Sequence, residues 1–359
     1  MKKYFLKRFL LIFPTLFVIM LINFLIIQTA PGGPVERFLA QINQANRASD
    51  EISGSAQIVN FSAPNSTLQY QGASGVDNEL IKKIEKLYGF DLPLYQRFFL
   101  MIKKYAIFNF GESFYQNRQI IDLVLEKMPV SISLGIFTTL LTYLISIPLG
   151  IKKAVRDGSK FDISTSSIII FLHAIPAFLF AILLIILFCG GNFLNIFPLR
   201  GLTSPNFEEL SFLGKIIDYF HHLTLPIIAM TIGGFASLTF FVKNSFIEEI
   251  NKNYVLAAYA KGLNQKQVLY KHVFRNAILI VIAGMPAALV GIFFTSSILI
   301  EVIFSLDGLG LLGYEATLSR DFPLIFASLY FFTLLGLITS LITDLTYNLI
   351  DPRINFNAK

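Results

Sequence analysis

Residues 253–262 carry the pattern from which a function can be argued most directly. Tyr254, Ala257, Ala258 and Lys261 recur at i, i+3, i+4 and i+7, the spacing that brings side chains to one face of a helix. Two alanines on that face would let another protein surface come close to the helix backbone. The pattern indicates non-covalent docking of a partner protein, and an ordinary interfacial loop without a partner is the alternative.

Gly262 is expected to end this short helix, because glycine just past a helix readily adopts the left-handed angles that turn the chain. Asn264 and Gln267 follow with the spacing of a capping box, which predicts the start of a second helix. We therefore predict a helix–glycine–helix unit within residues 243–275.

Groups for covalent chemistry are scarce in the sequence. The phosphate-binding pattern G-x-x-x-x-G-K-[ST] is absent, as are H-E-x-x-H and G-x-S-x-G. Cys189 is the single cysteine, so it has no partner for an intramolecular disulfide and no metal-ligand spacing. We predict no catalytic residue, no metal site and no cofactor, and ATP would have to be bound by a separate chain.

Six uncharged apolar runs indicate that the chain crosses a membrane repeatedly. The sequence is 54% hydrophobic and 14% charged, whereas soluble domains carry about 25% charged residues. A membrane-spanning helix needs about 20 apolar residues. Six segments meet this requirement: 9–30, 129–151, 163–188, 223–242, 276–300 and 322–343, the last continuing towards Ile350. The first is too long for a cleaved signal peptide, so we expect it to be retained.

The distribution of lysine and arginine predicts the orientation. Basic residues cluster in 1–8, 152–162 and 243–275, whereas the loops 190–222 and 301–321 carry only Arg200, Lys215 and Arg320. Basic loops stay in the cytoplasm. Both termini are therefore predicted to be cytoplasmic. The net charge of +6 lies beside apolar runs, which favours contact with membrane lipid and gives no reason to expect nucleic acid.

The predicted organisation has four parts. Residues 1–30 form the cytoplasmic N-terminus and the first transmembrane helix, 31–128 a periplasmic segment, 129–350 the five remaining transmembrane helices, and 351–359 the cytoplasmic C-terminus. The fold class is an all-α integral membrane protein.

The periplasmic segment itself divides into two parts. Residues 41–78 are polar and aperiodic, which favours a loop, whereas 79–108 have helical spacing. The stretch 95–108 is too charged to span and is expected to lie on the membrane surface. Contact with a partner and capping of the transmembrane helices remain alternatives for this part.

Three functional classes can be compared at this point. A secondary transporter should show intramembrane charges and matching repeats, and a membrane enzyme should show a cluster of acids, bases or metal ligands. The predicted spans show neither feature. A transport subunit driven by a separate ATPase needs only a docking loop and a path, so we rank this class first.

The loop 243–275 also resembles a known family pattern. Binding-protein-dependent ABC transporter permeases carry E-A-A-x-x-x-G there, and this chain reads Leu256-Ala257-Ala258-Tyr-Ala-Lys-Gly262. The oligopeptide branch favours Tyr-Val-x-x-Ala-x-Ala-Lys-Gly, which Tyr254 to Gly262 fit. The resemblance extends over nearly the whole chain, through Ala30-Pro-Gly-Gly-Pro34, Glu301-Val-Ile-Phe-Ser-Leu-Asp-Gly-Leu-Gly310 and Asp351-Pro-Arg353.

Several variants in these motifs resemble a narrower group. Gly33 and Leu306-Asp-Gly308 depart from the wider family, and together with Lys153-Ala-Val-Arg-Asp-Gly158 they resemble the Yej-type importers of peptides and microcin C. The resemblance implies the type I importer permease fold in the bacterial inner membrane, half of a translocation pathway and no enzymatic activity. It also implies three protein partners: a homologous second permease, an ATP-binding cassette ATPase docked at Tyr254–Gly262, and a periplasmic peptide-binding protein.

Small residues form a stripe on the fifth predicted span. Ala283, Ala287, Gly291 and Thr295 recur at i+4 spacing, and small residues let membrane helices pack closely. The stripe is expected to meet either the second permease or another span of this chain.

Overall fold

A computed structural model gives the fold, and it describes residues 2–29, 92–113, 115–116, 118–190, 193–284, 288 and 297–350. The predicted loop 41–78, residues 79–91 and the C-terminus 351–359 lie outside this part of the chain. The helices within it are α1 Lys2–Thr29, α2 Leu94–Ala106, α3 Ile120–Val155, α4 Lys160–Ala174, α5 Ala177–Phe188, α6 Phe212–Ile250, α7 Asn253–Ala260, α8 Gln265–Val268, α9 Phe274–Ala283, α10 Ser297–Ile303, α11 Leu309–Ser319 and α12 Phe322–Ile350.

Four of the described helices are long and apolar enough to cross a membrane: α1, α3, α6 and α12. They contain the first, second, fourth and sixth predicted spans. Helices α3 and α6 have 36 and 39 residues, so both extend well past the apolar runs from which they were predicted. Length and composition thus agree with a multi-pass membrane protein.

The third predicted span is broken, which differs from the single helix expected for 163–188. Helices α4 and α5 meet at an angle of 93°, and the break falls at Ile175 and Pro176. Proline offers no N–H to the helix and pushes the preceding residue into extended angles. Ile175 indeed has φ −81° and ψ 120°. This pair counts as a fifth span only if both helices form one crossing.

The fifth predicted span, 276–300, is only partly within the described residues. Helix α9 covers its start and α10 its end, with residues 285–287 and 289–296 outside the description. The count of six transmembrane helices therefore stays a prediction.

The chain divides into two compact units. Unit 1 comprises residues 1–16, 122–315 and 328–359, and unit 2 comprises residues 17–121 and 316–327. In unit 1, Arg8 Nε at the start of α1 lies 3.1 Å from Asp344 Oδ2 near the end of α12. Asp344, which directly follows the sixth apolar run, thereby has a basic partner.

Among the described residues, three apolar clusters lie in unit 1, and α3 and α6 contribute to the two larger ones. The first core joins them to α5 and α10 through Leu134, Leu184, Leu223 and Ile300. The second core joins their other ends to α7, α8 and α9, and it contains Val242, Phe246, Val255, Ala258, Val268 and Ala277. The helix–glycine–helix unit therefore packs against one end of the α3–α6 pair.

Aromatic packing and a buried hydrogen bond organise unit 2. Phe98 of α2 packs against Phe17 and Phe24 of α1, with ring centroids 5.3 and 5.4 Å apart. Ser113 Oγ donates to Asp321 Oδ2 at 2.6 Å. The outer face of α2 leaves Tyr95 and Phe99 more than half exposed, and Lys103 and Lys104 lie in its last turn. The position of α2 on a membrane surface stays a prediction.

Candidate functional site

The predicted helix–glycine–helix unit is confirmed in the structure. Helix α7 ends at Ala260, and Gly262 has φ +82°, in the left-handed region that glycine tolerates. Gln267 N donates to Asn264 Oδ1 at 2.9 Å, and Asn264 N donates to Gln267 Oε1 at 3.1 Å. This reciprocal capping box starts α8, which continues through one π-helical stretch, Leu269–Val273, into α9.

Ala258 lies on the buried face of α7, and not on the outward face as expected from the sequence. The Ala258 side chain is 6% exposed and belongs to the second apolar core, beside Val255. Ala257 and Lys261 are exposed, as expected of a docking surface, and Tyr254 is half-buried. Ala258 thus attaches α7 to the rest of the chain. The structure corrects the expectation that Ala258 faces a partner, while docking at α7 itself stays a prediction.

Large apolar side chains lie on the exposed face of α7. Leu256 is 64% exposed and Tyr259 43% exposed, and both lie outside the four positions singled out from the sequence. Ala257 and Lys261 lie on the same exposed surface. We define these residues, Leu256, Ala257, Tyr259 and Lys261, as the α7 surface. This surface combines one small residue, two large apolar side chains and one cation. Exposed apolar side chains of this kind are typical of surfaces that contact another protein.

The Tyr254 hydroxyl connects α7 to the helices on either side. It donates to Glu249 Oε2 of α6 at 2.6 Å and accepts from Asn276 Nδ2 of α9 at 3.3 Å. Burial and the bond to Glu249 raise the pKa of Tyr254 above its usual value, so the hydroxyl keeps its proton at neutral pH. Tyr254 thus joins α7 to both α6 and α9 through one hydroxyl.

A buried ion network fixes the same end of the α3–α6 pair. Lys153 of α3 is fully buried, and its Nζ lies 2.9 Å from Asp162 Oδ1. It also donates to Thr165 Oγ1 at 2.9 Å and Ser166 Oγ at 2.7 Å. Lys243 Nζ of α6 completes the network at 2.7 Å from Asp162 Oδ2. Three helices, α3, α4 and α6, are thereby joined by charges that would be costly to bury alone.

Sequence reasoning used Lys153 and Lys243 as markers of orientation, and Lys153 also as part of a family motif. Their pairing with Asp162 was missed, although one signal was available. All three charges lie at the ends of neighbouring apolar runs, where oppositely charged side chains on packed helices can meet. The identity of the partners depends on which helices pack together, which the runs themselves do not specify.

A second buried carboxylate organises the Glu301–Gly310 motif. Glu301 is fully buried, and its Oε2 accepts from Leu311 N, at the start of α11, at 2.7 Å. A Cβ at Gly308 would lie 2.6 Å from this carboxylate, so only glycine fits there. The carboxylate is stabilised by the amide groups at a helix N-terminus.

The small-residue stripe of the fifth span is described at one position. Ala283 is buried, at 1% exposure, and the other three members, Ala287, Gly291 and Thr295, lie outside the described residues. Its role stays a prediction. No group of three or more metal-ligating side chains occurs within the described ranges.

Comparison with known proteins identifies the class to which this architecture belongs. The family model for the binding-protein-dependent transport system inner membrane component matches residues 146–356. The chain belongs to this family. It is therefore a multi-pass inner-membrane component of a transport system and not an enzyme, as the resemblance implied.

Individual relatives narrow the class to one branch. The chain is 55% identical over the full length of both proteins to the peptidoglycan transport system permease protein YejB of Agrobacterium fabrum. It is 50% identical, again over both full lengths, to the inner membrane ABC transporter permease protein YejB of Escherichia coli O157:H7. The dipeptide transport system permease protein DppB of Lactococcus lactis is 30% identical over 99% of each chain. The expected resemblance to Yej-type permeases is confirmed.

Proposed function

We propose that this protein is one permease subunit of an ATP-driven, binding-protein-dependent importer of peptides and peptide-like compounds, including compounds of the microcin C type. The observation that carries the proposal is full-length identity of 50–55% to two permeases of the Yej type. The names of those relatives concern peptidoglycan and ABC transport, and more distant relatives are named for dipeptides and oligopeptides. Peptide bonds are the chemistry that these substrates share.

The proposed importer contains a homologous second permease, an ATPase that docks at the α7 surface, and a periplasmic binding protein. In this mechanism, ATP binding closes the ATPase and moves α7, and Tyr254 transmits that movement to α6 and α9. The spans then exchange between outward-open and inward-open arrangements. Co-purification in mild detergent tests the assembly: a homologous permease and an ATPase in one particle support it, and a chain that purifies alone contradicts it.

Substitutions at the neighbouring residues Ala257 and Ala258 test whether the ATPase docks at the α7 surface. Ala257→Asp puts a charge on the exposed α7 surface, so the protein should insert normally but bind the ATPase at least about tenfold more weakly. Ala258→Asp puts the same charge into an apolar core and should instead lower the amount of folded protein. Ala257→Ser, which stays small and neutral, is the control and should retain the ATPase. Normal ATPase binding by Ala257→Asp would exclude α7 as the docking helix.

The proposed topology has both termini in the cytoplasm. The Arg8–Asp344 pair supports a common side for the start of α1 and the end of α12. In a chain whose Cys189 is replaced by Ala, a cysteine at Ser74 should react with an impermeant thiol reagent in intact cells, and one at Lys160 should not. The reverse labelling would overturn the topology.

Substrate class is tested by uptake. Cells that lack this chain, and lack other peptide importers, should lose uptake of tri-alanine and become insensitive to microcin C. A plasmid copy of the gene should restore both. Normal uptake of the tripeptide with loss of microcin C sensitivity would restrict the substrate to the antibiotic-like compounds, and no change in either would refute the proposal.

A further inference from the structure

Helix α2 carries an exposed apolar surface that the proposed transport mechanism does not use. The Phe98 and Tyr105 side chains of this helix are buried within unit 2. Beside this buried face, Tyr95 and Phe99 lie one turn apart, and they are 63% and 60% exposed. The apolar face of α2 is therefore wider than the surface that the helix buries within the chain.

The contacts of Phe98 define the depth of α2 along the first span. The Phe98 ring packs against Phe17 and Phe24, which belong to the apolar run Leu6–Ile26 of α1. At a rise of about 1.5 Å per residue, these two residues lie about 14 and 3 Å inside the end of the run at Ile26. The middle of α2 is therefore level with the hydrocarbon core, close to one boundary of that core.

The last turn of α2 lies at the same boundary. The Tyr105 hydroxyl donates to the carbonyl oxygen of Pro323 at 3.4 Å, and α12 begins at Phe322. At about 100° per residue, Lys103 and Lys104 lie on the side of α2 that faces away from Phe98. Both lysines are exposed, and neither forms an ion pair in the described part of the chain. Two unpaired cations thus lie at the level of the lipid headgroups.

Phospholipid fits both parts of this surface. Water is absent at the depth of a hydrocarbon core, so Tyr95 and Phe99 must be covered by another apolar group. Acyl chains supply such a group, and the phosphates above them complement the charges of Lys103 and Lys104. A helix with aromatic residues on one side and lysines on the other is typical of a membrane interface. The pairing of apolar and basic surfaces at these depths favours a lipid over a second protein.

We propose that α2 is a phospholipid-binding helix, whose Tyr95 and Phe99 side chains contact acyl chains while Lys103 and Lys104 bind the phosphate groups of anionic lipids. The proposal goes beyond the proposed transport function, because it concerns the lipid around the subunit and holds whatever the substrate is. It uses the proposed topology only to assign these lipids to the periplasmic leaflet.

A single fluorescent reporter tests the depth of the exposed flank. The chain contains no tryptophan, so emission from Phe99→Trp reports on this position alone. In nanodiscs of phosphatidylethanolamine with a minor share of phosphatidylglycerol, lipids brominated on the acyl chain should quench this emission, and aqueous acrylamide should not. Glu208→Trp is the control, because Glu208 is 88% exposed in a loop outside the predicted spans. Acrylamide should quench that variant. The reverse pattern for Phe99→Trp would overturn the proposal.

Photocrosslinking in native membranes separates lipid from a protein partner. In cells that make the complete importer, p-benzoylphenylalanine in place of Phe99 should, on irradiation, attach to a phospholipid. Mass spectrometry of the purified chain should then show the added mass of the lipid. A covalent product with a second protein would overturn the proposal, because it would identify the flank as a protein contact.

Headgroup binding is tested with the same reporter. Brominated phosphatidylglycerol should quench Phe99→Trp more strongly than the same amount of brominated phosphatidylethanolamine. Replacing Lys103 and Lys104 by Gln should lower this relative affinity about 5- to 25-fold and leave quenching by phosphatidylethanolamine unchanged. Lys215→Gln is the matched control, because Lys215 already pairs with Glu208 at 2.8 Å; it should keep the preference. An equal preference with and without the two lysines of α2 would overturn their role.

Discussion

Two regions of the α3–α6 pair are built in opposite ways. At the end that carries α7, the helices are in close contact and the charges of Lys153, Asp162 and Lys243 are paired. Near the middle, Gly233 leaves open space, and the Thr139 hydroxyl has no hydrogen-bond partner among the residues that the structure describes. The two helices are therefore held closely together at one end and leave unfilled volume between them near the middle.

The largest effect on stability is expected from Lys153→Met, which disrupts the ion network at the end of the α3–α6 pair that carries α7. Removal of this buried ammonium leaves the Asp162 carboxylate without a principal partner and should destabilise the protein by about 3–5 kcal/mol. Thermal unfolding in detergent should show a large decrease in Tm. Lys152→Met is the matched control: Lys152 is exposed and lies over the Phe161 ring, so its replacement should have little effect. Equal decreases in Tm for both variants would contradict the network.

Gly150→Ala tests the close contact of the helices themselves. A Cβ at Gly150 would lie 2.7 Å from Val242 Cβ and 2.8 Å from the Thr239 carbonyl oxygen. Because one obstacle is backbone, α3 and α6 must separate, at a cost of about 1–3 kcal/mol. Gly234→Ala, in the open region, should be neutral or slightly stabilising, since alanine favours helix. Similar unfolding temperatures for both variants would remove the distinction between the two regions.

Tyr254→Phe is expected to affect coupling more than stability. It removes the hydrogen bonds to Glu249 and Asn276, which are worth about 0.5–1.5 kcal/mol each, or somewhat more where a charged group takes part. ATPase binding should persist, while the amount of peptide imported per ATP hydrolysed should decrease. An unchanged ratio would show that α7 moves its neighbours without this hydroxyl.

The pH dependence of that coupling follows from the raised pKa of Tyr254. A raised pKa means that the folded protein holds the proton more tightly, so the contribution of the hydroxyl is complete below the usual tyrosine pKa of about 10 and is lost only as pH rises through the folded value. Between about pH 6 and 9, the difference between parental protein and Tyr254→Phe should therefore stay constant. A difference that vanished at pH 8 would contradict this assignment.

The smallest effect is expected from Gly262→Ala. Left-handed angles cost a residue with a Cβ about 1 kcal/mol, and no other atom obstructs a Cβ at this site. A decrease in Tm of a few degrees is expected from such a cost. Gly262→Asn should be tolerated better than Gly262→Ala, because asparagine adopts left-handed angles more readily. The reverse order would show that backbone strain is not what requires glycine here.

The sequence by itself determined the features that depend on local chemistry. Apolar runs of about 20 residues predict membrane helices because a charge in the hydrocarbon core is costly. Gly262 and the pair Asn264 and Gln267 predicted a turn and a helix start because their requirements involve residues within three or four positions. The family motifs, read in order along the chain, predicted the class of transport protein.

The tertiary structure decided what depends on contacts between distant segments. Ala257 and Ala258 are chemically alike, and only the packing of α7 into the second apolar core makes one exposed and the other buried. Lys153 pairs with Asp162 because α3 lies beside α4 in the fold. The third apolar run is broken at Pro176, although its composition suits one continuous span. Thr139 and Thr231 differ in the same way: each can bond to its own helix, and the structure alone shows that Thr231 does so while the Thr139 hydroxyl has no hydrogen-bond partner among the described residues.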